Sequence, residues 1–200
     1  TQTVTVANTP PEMLSVSLTP STATTLTTLS AISSATDAEG DPITLSYQWT
    51  VDGIDPGETS SSLSGATHFS KGQVVQVIVT PSDSMDTGTS MSSAAITIQN
   101  TPPVAPSLIF VPEDPVEGED DLWCAIDTPA FDEDGDPVTL EFSWALDGVP
   151  WSSPISTTTE PDDTIEMTET TAGDEWTCTV TPHDGEAPGS PASIDVSIDN

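Results

Sequence analysis

Asn8-Thr9-Pro10-Pro11 returns 92 residues later as Asn100-Thr101-Pro102-Pro103, and a third Asn stands a further 100 residues on, at Asn200. A period of that length is domain-sized, and it constrains the chain more than any composition does, because whatever one copy folds into the other must match. The landmarks inside each copy recur in order. Asp37-Ala38-Glu39-Gly40-Asp41-Pro42 corresponds to Asp132-Glu133-Asp134-Gly135-Asp136-Pro137. Trp49 with Asp52-Gly53 corresponds to Trp144 with Asp147-Gly148. Gly72 followed by Val79-Thr80-Pro81-Ser82-Asp83 corresponds to Gly173 followed by Val180-Thr181-Pro182-His183-Asp184. The spacing predicts a terminal strand over 1–8, one module over 9–100 and a second over 101–200, whose extra residues fall mostly between Gly148 and Gly173 as a loop or a lengthened strand pair.

Each copy reads as about seven short strands. In the first they are expected near 14–18, 26–35, 43–51, 61–68, 73–80 and 94–98, with a short one after Gly53. Gln73-Val74-Val75-Gln76-Val77-Ile78-Val79 and Ile43-Thr44-Leu45-Ser46-Tyr47-Gln48-Trp49 alternate with the period of two that buries one face of a strand. Frequent Thr, Val, Pro and Gly, with turn signals between short strands, make the class all-β and favour a sandwich over a meander or small barrel. Paired prolines at each junction fix φ and hold the linker short and extended.

Charge narrows the partners. Thirty-three acidic residues stand against one Lys and no Arg, a formal net charge of −32. Phosphate recognition needs clustered Lys and Arg, so nucleic acid is excluded, and an anionic membrane surface with it. No apolar run reaches the roughly 20 residues of a bilayer span, so direct membrane insertion is not expected, and residues 1–7 lack a signal-peptide pattern. Five Trp and a hydrophobic fraction of 34% distinguish the chain from a disordered acidic tail.

The acidic loops are candidate metal sites. Asp37, Glu39 and Asp41, and likewise Asp132, Asp134 and Asp136, place carboxylates at alternate positions around a Gly that permits a sharp turn. Clustered carboxylates repel unless a cation or water separates them, and Ca²⁺, which takes 6–8 oxygen ligands, suits such a group. The spacing is not that of an EF-hand. Asx turns that cap their own backbone are the competing explanation. A further run, Glu113, Asp114, Glu117, Glu119, Asp120 and Asp121, reads as a solvated face or as added ligands near the junction.

The run from Ser34 to Leu45 with Tyr47-Gln48-Trp49 and Asp52-Gly53, and Val180-Thr181-Pro182-His183-Asp184-Gly185 with the Asn-Thr-Pro-Pro joint, resembles the tandem Ig-like, PKD-like and cadherin-like repeats of large bacterial extracellular surface proteins. The resemblance covers nearly the whole chain. It implies two tandem Ig-like β-sandwich domains. In such families the Asp-x-Asp-Gly-Asp loop sometimes binds calcium, which carries over to Asp132, Asp134 and Asp136 and less closely to Asp37, Glu39 and Asp41. An immunoglobulin-type domain also packs a Trp against its inter-sheet disulfide. Cys124 and Cys178, the only cysteines, flank Trp144 in that order, which implies a bridge between them, with two buried thiols as the alternative. Closing the intervening loop would stabilise the second module by about 4 kcal/mol and would place it in an oxidising, extracytoplasmic compartment. The first module would carry an apolar pair instead, Ala31 or Leu29 opposite Val77, and be the less stable.

Residues 1–7 stand where a last strand belongs, although each module already has one. They read as the tail of a preceding repeat or as a strand donated to another subunit. His68 and His183 fit no metal or triad spacing, so no enzyme is expected. The expected role is a non-catalytic structural segment of an extracellular fibre, stalk or cell-surface protein, with neighbouring copies of the same repeat or subunit as partners. The alternative is an adhesin or a polysaccharide-binding accessory module. Trp123, Trp151 and Trp176 lining one open face would favour sugar binding; Trp176, two residues before Cys178, is expected to be partly buried, and Trp151 is the best candidate for an exposed ligand contact.

Overall fold

The computed structural model describes residues 7–151, 156–158 and 162–200, with the side chains of 156–158 left aside. The terminal strand expected over 1–8 falls almost wholly outside these. The chain divides into two compact units, Thr1–Asn100 and Thr101–Asn200, and each is a β-sandwich with its own core.

In the first unit the strands are β1 (Glu12–Thr19), β2 (Ala23–Thr24), β3 (Thr28–Thr36), β4 (Thr44–Val51), β5 (Ser62–Ser64), β6 (Val74–Ser82), β7 (Met91–Ser92) and β8 (Ile96–Gln99), with one helical turn, α1 (Gly65–His68), after β5. One sheet has the order β1-β3-β5; the other runs β2-β8-β6-β4, with β7 also on β6. Alternation along β6 sends Val75, Val77 and Val79 fully inward against Trp49 of β4 and Leu29 and Leu63 of the opposite sheet. The indole N–H of Trp49 would be costly to bury alone and donates to the Ser60 carbonyl at 2.9 Å.

Two expectations need correction. Residues 61–68 are not one strand: β5 stops at Ser64 because the chain turns in tightly at Gly65, where a Cβ would collide with the carbonyl oxygens of Thr25 and Thr27. The Gly65 N–H donates to Thr27 O at 2.9 Å, and α1 follows. After Gly53 there is only a bridge, Val51 with Ile54. Asp52 and Gly53 both have positive φ, 51° and 78°, as a two-residue hairpin turn demands.

The second unit repeats this plan with β9 (Ser107–Val111), β10 (Leu122–Thr128), β11 (Thr139–Leu146), β12 (Val149–Pro150), β13 (Ser156–Thr158), β14 (Asp162–Ile165), β15 (Glu175–His183) and β16 (Ala192–Ser197). Its sheets are β14-β10-β9 and β12-β11-β15-β16, with β13 also on β11. The added residues after Gly148 thus supply edge strands to β11, which β4 lacks.

Cys124 on β10 and Cys178 on β15 are bonded (S–S 2.07 Å), joining the two sheets beside Trp144. Register identifies the counterparts in the first unit. Phe110 pairs with Cys124 just before the cis Val111-Pro112 bond, and Leu18 pairs with Ala31 just before the cis Thr19-Pro20 bond. Trp49 pairs with Val77 as Trp144 pairs with Cys178. Ala31 and Val77 therefore occupy the bridge positions, and Leu29 corresponds to Leu122. A second repeated feature escaped the sequence reading: a Cβ at Gly88 would strike the Pro11 carbonyl oxygen, and one at Gly189 that of Pro103, so each Pro-Pro segment lies directly on a glycine.

Candidate metal centre

The β10–β11 loop brings its carboxylates together. Asp132, Asp134 and Asp136 each offer an oxygen within 4.8 Å of the other two, and all three are half-buried. The backbone explains the convergence. Asp132 Oδ1 accepts the N–H groups of Asp134 at 2.8 Å and Asp136 at 3.3 Å, an Asx turn that folds the loop around its first residue. The Gly135 N–H returns to the Asp132 carbonyl at 3.2 Å, and Gly135 takes φ 83°. Asp134 reaches out to Thr101, accepting its N–H at 2.6 Å and its hydroxyl at 3.2 Å. The Asx turn and the charged cluster are thus the same object rather than alternatives.

Asp132 Oδ2 is shielded from solvent and has no hydrogen-bond donor. An orphaned carboxylate oxygen flanked by two more carboxylates fits a hard divalent cation, since like charges at that separation are stabilised by a shared positive ion.

The first loop shares the scaffold and differs in the cluster. Asp37 Oδ1 accepts from Glu39 and Asp41, both at 2.9 Å, and Asp37 Oδ2 is again buried without a donor. Glu39, one methylene longer, spends both oxygens on Thr9, at 3.1 Å to its N–H and 3.0 Å to its hydroxyl. Among the described residues the three-carboxylate group forms only at Asp132, Asp134 and Asp136. Asn8 was missed by the sequence reading. Its side-chain amide donates to Asp83 Oδ2 at 3.0 Å and Asp86 Oδ2 at 2.8 Å, leaving its own Oδ1 buried without a donor. Only the recurrence of Asn beside Thr-Pro-Pro signalled it.

Asp83 Oδ1 also accepts from Met85 at 2.7 Å and Asp86 at 2.6 Å. The Asp86 backbone N–H, then the Asn8 amide and the Met85 N–H, hold the Asp83 carboxyl below its usual value of 3.8.

The tryptophans do not form an open platform. Trp176 is fully buried, and Trp151 is half-buried with its ring edge-on to Trp176 at 5.0 Å and its backbone N–H donating to Trp144 O at 2.8 Å. Trp151 is therefore corrected from exposed contact to core cover, because its apolar ring is worth more against Trp176 than in water. Trp123 is the exposed one, 46% accessible, on the outer face of β10. His68 ends α1 with Nδ1 2.7 Å from the Thr67 hydroxyl, and His183 Nδ1 accepts the Gly185 N–H at 2.8 Å. Lys71 donates to Asn100 Oδ1 at 3.0 Å. Among the described residues no helix is long and apolar enough to cross a membrane.

No family model matches the chain, and no curated protein matches it. Solved structures similar to it include the FN1–FN3 domains of chicken CNTN1, 14% identical over 95% of this chain and 66% of that one, with a TM-score of 0.39. A segment of two fibronectin type III domains from chicken tenascin is 13% identical over 94% and 99%, TM-score 0.45. The chicken interferon gamma receptor alpha chain is 8% identical over 96% and 100%, TM-score 0.48. The chain spans just under two thirds of the CNTN1 segment. The likeness is one of fold.

Proposed function

We propose that the chain is a non-catalytic extracellular module, a pair of tandem sandwiches that acts as a structural or interaction segment of a fibre, stalk or cell-surface protein. The observation that carries this reading is the duplication itself. The same sandwich is built twice, and what is invariant between copies is scaffold: the Trp on β4 and β11, the Asx-turn loop, and the Pro-Pro segment seated on a glycine. The disulfide supports an oxidising compartment. Repulsion among so many carboxylates favours soluble, extended material.

Calcium belongs to this proposal at the second loop. Asp132, Asp134 and Asp136 would hold the ion, which would neutralise their repulsion and fix the loop that Asp134 ties to Thr101. The first loop is the poorer host, because its three carboxylates do not gather into such a group. Saturating Ca²⁺ at about 100 times its dissociation constant adds about 2.7 kcal/mol to the folded state by mass action. Thermal denaturation should show a calcium-dependent rise in the melting temperature that Asp132→Asn removes. A melting curve indifferent to both calcium and chelator would discard the metal. Electron microscopy of material from the natural source tests the structural role: fibres or stalks support it, and dispersed single molecules would favour the accessory-module alternative.

A further inference from the structure

One outer sheet face differs in chemistry between the repeats although its scaffold is the same. On β10 the buried Leu122 and Cys124 bracket Trp123, which therefore stands outward, and on β9 the buried Phe110 separates the outward Ile109 and Val111. The register sets Val111 and Thr164 on either side of Trp123, and Ile109 and Asp162 on either side of Ala125, one outward position along. Cross-strand neighbours on one face have Cβ atoms about 5 Å apart. Ile109, Val111 and Trp123 thus form one apolar patch, 39%, 41% and 46% exposed.

The first repeat shows that the fold does not need this patch. With Leu18 and Ala31 matched to Phe110 and Cys124, the positions of Ile109, Val111, Trp123 and Thr164 are held by Ser17, Thr19, Ser30 and Ser62. Hydroxyl side chains serve the same strands there, and the apolar residue among them is Ile32, opposite Ser17. Exposed apolar side chains standing singly are ordinary on a protein surface. A contiguous group centred on a Trp is the composition of a contact site.

The surroundings select the occupant. Asp162 flanks Ala125, and Asp127, the next outward residue of β10, accepts the Ser107 hydroxyl at 3.0 Å. Residues 101–200 hold 24 acidic residues and neither Lys nor Arg. Such a field repels an anionic ligand and draws in a cationic one. The face of an indole ring is itself negative and attracts C–H groups and ammonium groups alike. A pyranose ring offers a face of C–H bonds, and an amino sugar adds the positive charge. A basic peptide would bring the charge too, but its backbone needs an unpaired strand edge, and Trp123 lies on the central strand of its sheet.

We infer that the outer face of β9, β10 and β14 binds a polysaccharide bearing protonated amines, of the polyglucosamine type. One sugar ring stacks on Trp123 between Val111 and Thr164, and Asp127 and Asp162 hold the ammonium and hydroxyl groups of the sugars that follow. The Trp supplies the anchor and the carboxylates supply the preference for positive charge. The site uses none of the residues of the Asp132 loop, so it is independent of calcium, and the structural reading above is tested separately by microscopy.

Titration of the whole chain with a glucosamine hexamer, followed by NMR at a pH of about 5.5, tests it; the sugar amines are protonated there and ordinary carboxylates ionised. The indole N–H signal of Trp123 should shift and saturate. Trp123→Ala, which removes a half-exposed ring and no charge, should weaken binding about tenfold or more, while Ile32→Ala on the equivalent face of the first repeat should not. Asp127→Asn with Asp162→Asn should weaken it and flatten its dependence on salt. Circular dichroism confirms that each variant is folded, and the Trp123 signal of the unaltered chain needs no variant. Saturation that leaves the Trp123 signal in place overturns the inference, because the hexamer would then be held only by diffuse charge. So does affinity that survives Trp123→Ala. Equal binding of the uncharged N-acetylglucosamine hexamer would remove the role of the amines, and tighter binding of hexalysine at Trp123 would make the occupant a basic peptide; either result overturns the assignment.

Discussion

Glu39 and Asp134 occupy equivalent positions, and both hold the Thr that precedes a Pro-Pro segment. The difference is one methylene, and it decides which loop keeps a carboxylate cluster. That outcome was only half legible. The alternating acids and central Gly announced a tight, negatively charged turn, but the partners of Asn8 in the first repeat, Asp83 and Asp86, lie 75 and more positions away. Long-range polar contacts of this kind leave no periodic trace. Asp83 gives a direct test. Three donors stabilise its ionised form, the Asp86 N–H foremost, so its folded pKa lies below 3.8. Because the folded value is the lower one, the associated stability is complete above the unfolded pKa and is lost as pH falls through the folded value. Carboxyl chemical shifts followed by NMR should place the Asp83 midpoint below that of an unstructured Asp. Asn8→Ala should move it upward; an unmoved midpoint would mean that the Asn8 contact contributes nothing in solution.

At the level of elements, the strands with the cleanest alternation, β4 and β6, were legible because burying one face leaves a period-two record in Val75, Val77 and Val79. α1 was not. A single helical turn has no periodicity to read, and it exists because Gly65 must press against the carbonyls of Thr25 and Thr27. The pairing register adds what alignment left open. Ala31, rather than Leu29, occupies the position equivalent to Cys124, and Val77 stands for Cys178. Installing the missing bridge by Ala31→Cys with Val77→Cys would join positions 46 residues apart in sequence, worth about 4 kcal/mol on the chain-entropy estimate, less any strain. Mass spectrometry under non-reducing conditions should find the new bridge, and the first repeat should melt higher by a margin that a reductant abolishes. Free thiols at both positions in the folded variant would show that the two sheets are spaced differently in the two repeats.

Over the whole molecule, the two repeats share one plan and are stabilised differently. The first relies on packing of Trp49, Leu29, Leu63 and the β6 valines. The second adds the Cys124–Cys178 bridge and a cluster of tilted and edge-on rings, Phe110, Trp144, Trp176 and Trp151. It also confines 24 acidic residues within a hundred, against nine in the first. The bridge raises its stability by a contribution that salt does not alter, and self-repulsion lowers it by one that salt relieves. Scanning calorimetry should therefore resolve two transitions with different responses. Reduction should lower one of them by about 15 to 30 °C, the shift that about 4 kcal/mol produces in a domain of this size. That same transition should climb more steeply than the other as salt is raised, since its unit carries the denser charge. If the salt-sensitive transition and the reductant-sensitive transition were different ones, the assignment of charge and disulfide to a single independently folding repeat would fail.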